Sequence, residues 1–375
     1  MPNQQRGVPG FPQANAAYER WLRARVRLIP ADLRSKHAAM REAAFPFLRA
    51  TFFRWAERWP VVCPGLLDAP EVLAVGDLHV ENFGTWRDLE GRLVWGVDDY
   101  DEAWPLPYTN DLVRLATSAL LAVEENRLDL EARTAVEAIL EGYRAGAEQG
   151  CAPFVLAEHH HALHEMAVAR LKDPKKFWDK LEAMPTVRGK PPPNARRALR
   201  QTLPDPDAPI HYVHRISGLG SLGRERYVAI AEWHGGKVAR EAKALAPSAC
   251  SRAAGRSGRS GRNARVYYQT LLDRAVRSAD PFLRVKRRWI VRRLAPDCSR
   301  IELAALPHGR DELDLLHAMG RETANIHLGS ARAKPLRADL AARSQGWLLH
   351  AAARMRDDVR RDWRAWRAHQ RRRTA

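Results

Sequence analysis

The sequence predicts an α+β protein with a helix-rich large lobe and a smaller β-rich lobe. Apolar residues recur at helical spacing over 14–28 and 33–58, and again from 112 to about 148. A segment rich in proline and polar residues, 185–210, separates this part from short β-type runs that surround glycine turns. With 375 residues, the chain is long enough for one bilobal domain or two smaller domains.

The helices of the first half are interrupted by a few short strands. VLAVGD (72–77) predicts a buried strand that runs into a polar turn, and FGTW (83–86) with RLVWGV (92–97) predicts a hairpin around DLEG. Asp111 precedes LVRLATSALLAVEE, so we expect it to be the N-cap of an amphipathic helix. Helical periodicity returns over 153–184.

The second half begins with strands and ends with helices. HYVHRISG, RYVAIAEW, KVAREAKAL and WIVRRL predict strands, and the low-complexity run 251–264 predicts a loop before a helix near 265–278. Helical periodicity then covers 311–328 and 336–370. The last helix is basic and amphipathic, and we expect it to pack on the protein rather than on nucleic acid or lipid.

Composition narrows the possible partners and location. The net charge of +18 favours anionic partners, although arginines spread along the whole chain do not favour a nucleic-acid binder. The N-terminus has no apolar signal region, and no run approaches the ~18 apolar residues of a membrane span. Cys63, Cys151, Cys250 and Cys298 form no C-x-x-C pair, so we expect reduced thiols in a cytoplasmic protein.

Four polar residues lie within six positions of GDLHVENFG (76–84). Asp77 and Asn82 follow a predicted strand at D-x-x-x-x-N spacing, and the next hairpin leads into the acidic segment VDDYDEA (97–103). In phosphoryl transfer one carboxylate orients or deprotonates the attacking hydroxyl, while an amide oxygen and a second carboxylate hold Mg²⁺ against the phosphates. The spacing therefore predicts a phosphoryl-transfer site.

A glycine-rich segment supplies the other requirement of such a site. Gly218, Gly220 and Gly223 form a G-x-G-x-x-G pattern that lets backbone N–H groups approach a phosphate. A dinucleotide-binding fold would need a helix immediately afterwards, but RYVAIAEW predicts a strand, as in a kinase-type loop. Lys243 follows twenty residues after Gly223 and is placed to pair with phosphates.

GDLHVENFG followed by VDDYDEAWPLPYTNDLVRLA resembles the catalytic half of protein-kinase-like phosphotransferases of the aminoglycoside and choline kinase type. The chain more closely resembles an uncharacterised bacterial family, catalogued as a domain of unknown function, that carries this signature. The closer resemblance also includes FPFLRATFFRW, GLGSLGRERY, REAKALAPSA, WIVRRLAPDCSRIEL and MGRETANIHLG.

The resemblance implies a role for each matching residue. Asp77 would be the catalytic base, Asn82 and Asp99 the Mg²⁺ ligands, and Lys243 the lysine that pairs with the phosphates of ATP. Asp98 and Asp101 compete with Asp99 as ligand. Asp111 would brace the catalytic loop.

The order of the motifs departs from that of kinases. Kinases place the glycine-rich loop and its lysine before the catalytic loop, whereas here they follow it, so the resemblance implies a circularly permuted kinase-like bilobal fold. We expect a helical catalytic lobe at 1–205, a nucleotide-binding β-rich lobe at 206–300, and helices returning to the large lobe at 301–375. No glutamate is evident as the usual partner of the lysine, since Glu241 is too close to Lys243 in sequence.

The expected function is therefore an ATP- and Mg²⁺-dependent phosphotransferase acting on a hydroxyl of an unidentified small molecule or protein. Adenylyl transfer would leave the same residues visible. A catalytically inactive nucleotide-binding module and a basic nucleic-acid-binding protein are the alternatives. A metallophosphoesterase shares the D-x-H opening at Asp77, but the later motifs of that class are missing. His160 and His164 have zinc-compatible spacing, although a solvated helix face is the simpler interpretation.

Overall fold

The computed structural model describes residues 9–168, 171, 173–187, 189–255, 265–298 and 309–374. Helices and three small sheets alternate along these residues. The helices are α1 (Phe11–Arg23), α2 (Pro30–Glu42), α3 (Ala44–Ala50), α4 (Phe52–Val62), α5 (Thr109–Glu124), α6 (Ala132–Gln149), α7 (Leu156–His159), α8 (His161–Val168), α9 (Pro174–Glu182), α10 (Pro193–Arg200), α11 (Ala249–Gly255), α12 (Tyr268–Arg274), α13 (Gly309–Leu328), α14 (Ala333–Ala342) and α15 (Trp347–Thr374). The strands are β1 (Glu71–Ala74), β2 (Phe83–Arg87), β3 (Leu93–Val97), β4 (Trp104–Pro107), β5 (Phe154–Val155), β6 (His211–His214), β7 (Arg226–Trp233), β8 (Gly236–Ala244), β9 (Arg284–Lys286) and β10 (Trp289–Leu294).

All three sheets are antiparallel. β1 pairs with β4, and β2, β3 and β5 form a second sheet in which the predicted hairpin has the register Phe83↔Val97. The largest sheet has the order β6-β7-β8-β10-β9, and the glycine-rich segment connects its first two strands.

The two faces of the five-stranded sheet differ in chemistry. Successive side chains of a strand point to opposite faces. One face is apolar and packs under α10, where Ala242 and Ala244 meet Trp289 and Val291. The opposite face carries Glu241 and Lys243, both fully buried, so charged residues lie inside the molecule on that side.

The helical part has its centre at α5, whose residues 109–122 are buried on every side. α15 packs along α5, and α13 packs along α6 through a close glycine contact. An added Cβ at Gly320 would lie 2.0 Å from the carbonyl oxygen of Ile139, so only glycine permits this separation of the two helices.

The C-terminal helix packs on the protein, as its amphipathic pattern suggested. Trp366 is 3% exposed. Arg54 Nε donates to Asp362 Oδ2 over 2.7 Å, and Arg58 Nη2 to Asp358 Oδ1 over the same distance. Within the described ranges, no helix combines the length and apolar character needed to cross a bilayer. The four cysteines are free thiols.

The helical pattern over 33–58 is confirmed, as three helices that are separated where Ala43 and Thr51 leave the helical conformation. Other sequence-based expectations were wrong in detail. The proposed linker 185–210 contains α10, which covers the sheet, and 153–184 is a short strand followed by three short helices. Asp111 lies inside α5 and does not cap it. Most of the low-complexity run, residues 256–264, and the end of WIVRRLAPDCSRIEL, residues 299–303, lie outside the described part of the chain.

Candidate active site

The turn that carries Asp77 is held by the carboxylate of Asp111. Asp111 accepts hydrogen bonds from the backbone nitrogens of Val75 (2.6 Å) and Gly76 (3.0 Å), which explains why it does not cap its own helix. Gly76 has φ +81°, and an added Cβ would lie 2.4 Å from the carbonyl oxygen of Glu102. His327 Nε2 lies 3.1 Å from Asp111 Oδ2 and extends the buried network to α13. The turn is therefore rigid.

Arg114 holds the carboxylate of Asp77. Its Nε and Nη2 both bond Asp77 Oδ1, the former over 2.9 Å, while Nη2 also donates to the carbonyl oxygen of Leu48. Burial raises the pKa of Asp77 above its usual value, and the opposing effect of Arg114 is smaller. Arg114 was not predicted as a site residue, although it lies three positions after Asp111 on one helix, a spacing that puts both on one face.

Asn82 links the Asp77 turn to the second acidic segment. Its Nδ2 donates to the carbonyl oxygens of Asp99 (3.0 Å) and Asp77 (3.3 Å). The backbone nitrogen of Asp98 donates to the carbonyl oxygen of Asn82 over 3.0 Å. The hairpin thus returns the second acidic segment to the first.

Lys243 reaches this acidic segment from the five-stranded sheet. Its Nζ lies 2.7 Å from Asp99 Oδ2 and 2.8 Å from Asp101 Oδ2, and its side chain is 1% exposed. Arg224 Nη1 lies 3.2 Å from the same Asp101 oxygen. Asp98, the other competing ligand, instead bonds Arg292. The contact between Lys243 and Asp99 therefore connects β8 of the five-stranded sheet to the acidic segment.

Asp101 is the second carboxylate that contacts Lys243. Residues 244–288, which follow Lys243 and include α11 and α12, contain no glutamate. Burial raises the pKa of Asp101, with Asp99 adding to the effect, while Lys243 and Arg224 oppose it. The lysine thus pairs with two carboxylates of the acidic segment 97–103.

The glycine-rich loop lies over Asp77. An added Cβ at Gly220 would be 3.2 Å from Asp77 Oδ2, and Lys36 Nζ donates to the Gly220 carbonyl oxygen over 2.8 Å. Burial, reinforced by nearby Arg224, lowers the pKa of Lys36 to about 8. Gly218 has φ +73°. Gly223 has different neighbours from Gly220, since it packs against Leu33 of α2.

Two adjoining cavities lie at this junction. The smaller, of about 50 Å³, is lined by Asp77, His79, Asn82, Asp99, Gly218 and Gly220 among others. The larger, of about 820 Å³, shares Arg49 and Gly218 with it and extends between the sheet and α9. Only the larger has room for a drug-sized ligand. The predicted residues thus line one site, except that Lys243 lies behind Asp99 and Gly223 packs against α2.

Three arginines of the site were not predicted. Arg215, Arg226 and Arg292 surround the buried carboxylate of Glu241. Burial alone would raise the pKa of Glu241, but the three guanidinium groups outweigh it and hold that pKa well below its usual range. The alternation of β8 and β10 could have indicated a shared face, but not which carboxylate the arginines surround.

His79 is 8% exposed and its Nδ1 accepts a hydrogen bond from the backbone nitrogen of Glu81 over 3.2 Å. It lines the smaller cavity. His160 is the C-cap residue that follows α7 and its ring lies against Phe154, whereas His164 lies in α8. Within the described residues, no group of three or more His, Cys, Asp or Glu side chains is arranged to hold a metal.

A comparison with protein families finds one match. The family described as "Uncharacterized protein conserved in bacteria (DUF2252)" matches residues 25–160 and 196–369, which is most of the chain. No curated protein and no solved structure matches.

Proposed function

We propose that this chain, which belongs to the DUF2252 family of uncharacterised proteins conserved in bacteria, is an ATP- and Mg²⁺-dependent phosphotransferase acting on a hydroxyl group. The observation that carries the proposal is the 2.7 Å contact between Lys243 Nζ and Asp99 Oδ2. It joins a lysine that follows a glycine-rich loop to the acidic segment 97–103, although 144 residues separate Lys243 from Asp99. Asn82 in turn links that acidic segment to the D-x-x-x-x-N segment. Shared chemistry on one phosphate chain requires the lysine and the metal-ligating aspartate to lie close together, and this contact supports that arrangement.

The described donor atoms suit Mg²⁺. The amide nitrogen of Asn82 is committed to two backbone carbonyls, so its Oδ1 is the atom left to accept a cation, and Asp99 supplies carboxylate oxygens. Mg²⁺ is commonly bound by one or two such side chains together with phosphates and water, so a set of three protein ligands is not needed. A bound Mg²⁺ would neutralise charge on the phosphates.

The remaining residues have roles that follow from their surroundings. Asp77 would orient the acceptor hydroxyl and accept its proton, a task helped by a pKa above the usual value of an aspartate. Arg114 would keep that carboxylate in one orientation. The backbone of Gly218 and Gly220 would contact phosphates, and Lys243 would balance their charge.

The strand order supports a kinase-like small lobe in a permuted chain. In protein kinases the phosphate-binding lysine lies on the third strand, after the hairpin of the glycine-rich loop. Here β6, the loop, β7 and then β8 with Lys243 follow the same order. We accordingly propose a catalytic lobe at 1–205, a nucleotide lobe at 206–300 and returning helices at 301–375.

One observation favours a second candidate, a nucleotide-binding module without turnover. Asp77 is bonded by Arg114 and covered by Gly220, which leaves little room for an acceptor hydroxyl. Turnover then requires the loop to move, whereas binding in the larger cavity does not.

Calorimetric binding of ATP, with and without Mg²⁺, tests the proposal. We expect Mg²⁺-dependent binding to wild type and its loss in Asp99→Ala and Lys243→Ala. Lys237→Ala is the matched control, because Lys237 lies on the same strand with its side chain 34% exposed. Binding that is absent from wild type, or equal in all variants, would contradict the proposal.

Turnover separates the two candidates. We expect Asp77→Ala to lower ATP hydrolysis, with water as the acceptor, by at least about 100-fold while ATP binding stays close to wild type. Unchanged hydrolysis would remove Asp77 from the base role. A wild type that binds Mg²⁺-ATP but releases no ADP would favour the module.

A further inference from the structure

The wall of the larger cavity beside the glycine-rich loop is strongly basic. Basic side chains outnumber acidic ones along it, and arginines of β7 and β10 project into it next to Gly218. An occupant of this part of the cavity must therefore balance positive charge.

The basic wall has a defined centre at Glu241. Arg215 Nη1 lies 2.6 Å from Glu241 Oε2, and Arg226 Nη1 lies 2.8 Å from Oε1. Arg292 stands directly opposite Glu241 in the sheet, with its Nε 3.3 Å from Oε1 and its Nη1 3.0 Å from Asp98. Three guanidinium groups thus share two carboxylates, which leaves one positive charge uncompensated within the cluster.

The donors of the cluster are not used up by these contacts. Arg292 Nε, although 3.3 Å from Glu241 Oε1, does not make a hydrogen bond with it and has no other hydrogen-bond partner among the described residues. The side chain of Arg226 is 6% exposed and that of Arg292 13%, so solvent screens them weakly. Planar guanidinium groups with free N–H donors match the oxygens of phosphate, and they do so best where water is scarce.

The glycine-rich loop is shaped around the same cluster. Arg226 Nη2 donates to Ser221 Oγ over 3.0 Å, and an added Cβ at Gly218 would lie 3.0 Å from that nitrogen. Gly218 therefore allows a guanidinium group to lie directly under the loop. The loop and the arginines form one continuous surface.

We propose that Arg215, Arg226 and Arg292 form a binding site for a phosphate group, next to the Lys243 site but separate from it. For the identity of the molecule that carries the phosphate, this inference rests on the proposed function. That phosphate belongs either to the nucleotide or to a phosphorylated acceptor. In both cases the site recognises an oxyanion.

Calorimetry with inorganic tripolyphosphate in Mg²⁺-free buffer containing EDTA tests the site without requiring nucleotide or turnover. About 0.15 M KCl screens the general attraction of a basic protein for anions. We expect wild type to bind, Arg215→Gln to bind about tenfold more weakly, and Arg215→Lys to lie between them. Arg215 is the residue to change because its side chain is 25% exposed and its loss disturbs the fold least.

Arg284→Gln is the matched control, because it removes the same charge from an exposed position on β9 of the same sheet. Asp99→Ala should keep tripolyphosphate binding even if Mg²⁺-ATP binding fails, so failure of the proposed function is distinguishable from failure of this site. No binding to wild type, or equal weakening by Arg215→Gln and Arg284→Gln, would overturn the proposal.

Competition with ATP identifies the source of the phosphate. If ATP displaces tripolyphosphate and Arg215→Gln weakens both, the site holds phosphates of the nucleotide. If both ligands bind together and Arg215→Gln weakens only tripolyphosphate, the site holds a phosphate of the acceptor. Either result supports a phosphate site.

Discussion

Glu241 and Lys243 lie two residues apart on β8 and share a face of the sheet, yet their surroundings are opposite. Glu241 is a buried anion among three guanidinium groups, and Lys243 is a buried cation between two carboxylates. Each of these two charged groups therefore contacts more than one group of opposite charge. One strand therefore borders a region suited to a cation and, one pleat away, a region suited to an anion.

The other face of the same strands shows why this arrangement can be stable. Ala242, between the two charged residues, packs in an apolar cluster under α10 with Trp289 and Val291. Apolar burial on that side holds the sheet together. The charged face can then carry excess charge that a ligand would neutralise.

The largest effect is expected from Glu241→Gln. The change leaves buried guanidinium groups without their shared carboxylate, so we expect the free energy of unfolding to fall by about 3–5 kcal/mol. Urea denaturation measures it. Glu232→Gln, at an exposed position of the same sheet, should change it by less than about 0.5 kcal/mol. A loss below about 1 kcal/mol for Glu241→Gln would mean that the cluster does not depend on its anion.

A smaller loss of about 2 kcal/mol is expected from Lys243→Met, because Asp99 is 22% exposed and Arg224 still neutralises Asp101. The carboxylates that remain should then attract a divalent cation. We expect millimolar MgCl₂ to raise the melting temperature of this variant more than that of wild type. An equal rise in both proteins would show that the carboxylates of Asp99 and Asp101 have no affinity for Mg²⁺.

Glu322→Gln extends the comparison to a second buried glutamate, whose surroundings differ from those of Glu241. Burial raises the pKa of Glu322 to about 7, an effect that Arg277 and hydrogen bonds from Asn325 and Val97 only partly oppose. Because this folded pKa exceeds the unfolded value of 4.5, wild-type stability is lost as pH rises through 7.

The variant cannot ionise, so between pH 5 and pH 8 it should gain up to about 3 kcal/mol relative to wild type. Urea denaturation at both pH values measures this difference. Glu241→Gln should show no such change over that range, because the pKa of Glu241 is shifted downward and its contribution is lost only in acid. If the free energy of unfolding changed with pH in the same way in both variants, the raised pKa of Glu322 would be contradicted.

Local patterns predicted the strands and the hairpin well. The hairpin at 83–97, the strand at β8 and the strand WIVRRL are confirmed, because alternation and turn residues act over a few positions. The boundaries failed where distant contacts decided them. Asp111 has the sequence of an N-cap, but the backbone of residues 75 and 76 competes for its carboxylate.

The residues of the candidate site likewise fall into those that local patterns predicted and those that distant contacts bring together. Asp77, Asn82 and Asp99 stand out because spacing within a short segment brings them together, and the glycines stand out by type. Arg114 and the arginines around Glu241 were missed as parts of the site, because their partners lie between 15 and 51 residues away along the chain. Asp101 was considered only as a competing metal ligand, and its contact with Lys243, 142 residues away, was not predicted.

The sequence by itself determined the α+β class, most strands, and the residue types and spacings of the segments that carry Asp77, Asn82 and Asp99, since these depend on neighbours along the chain. Tertiary structure alone decided that Lys243 meets Asp99 and Asp101 and that three arginines meet Glu241. The reason is that a buried charge takes whichever opposite charge the packing brings within hydrogen-bond distance, and no local pattern specifies that partner.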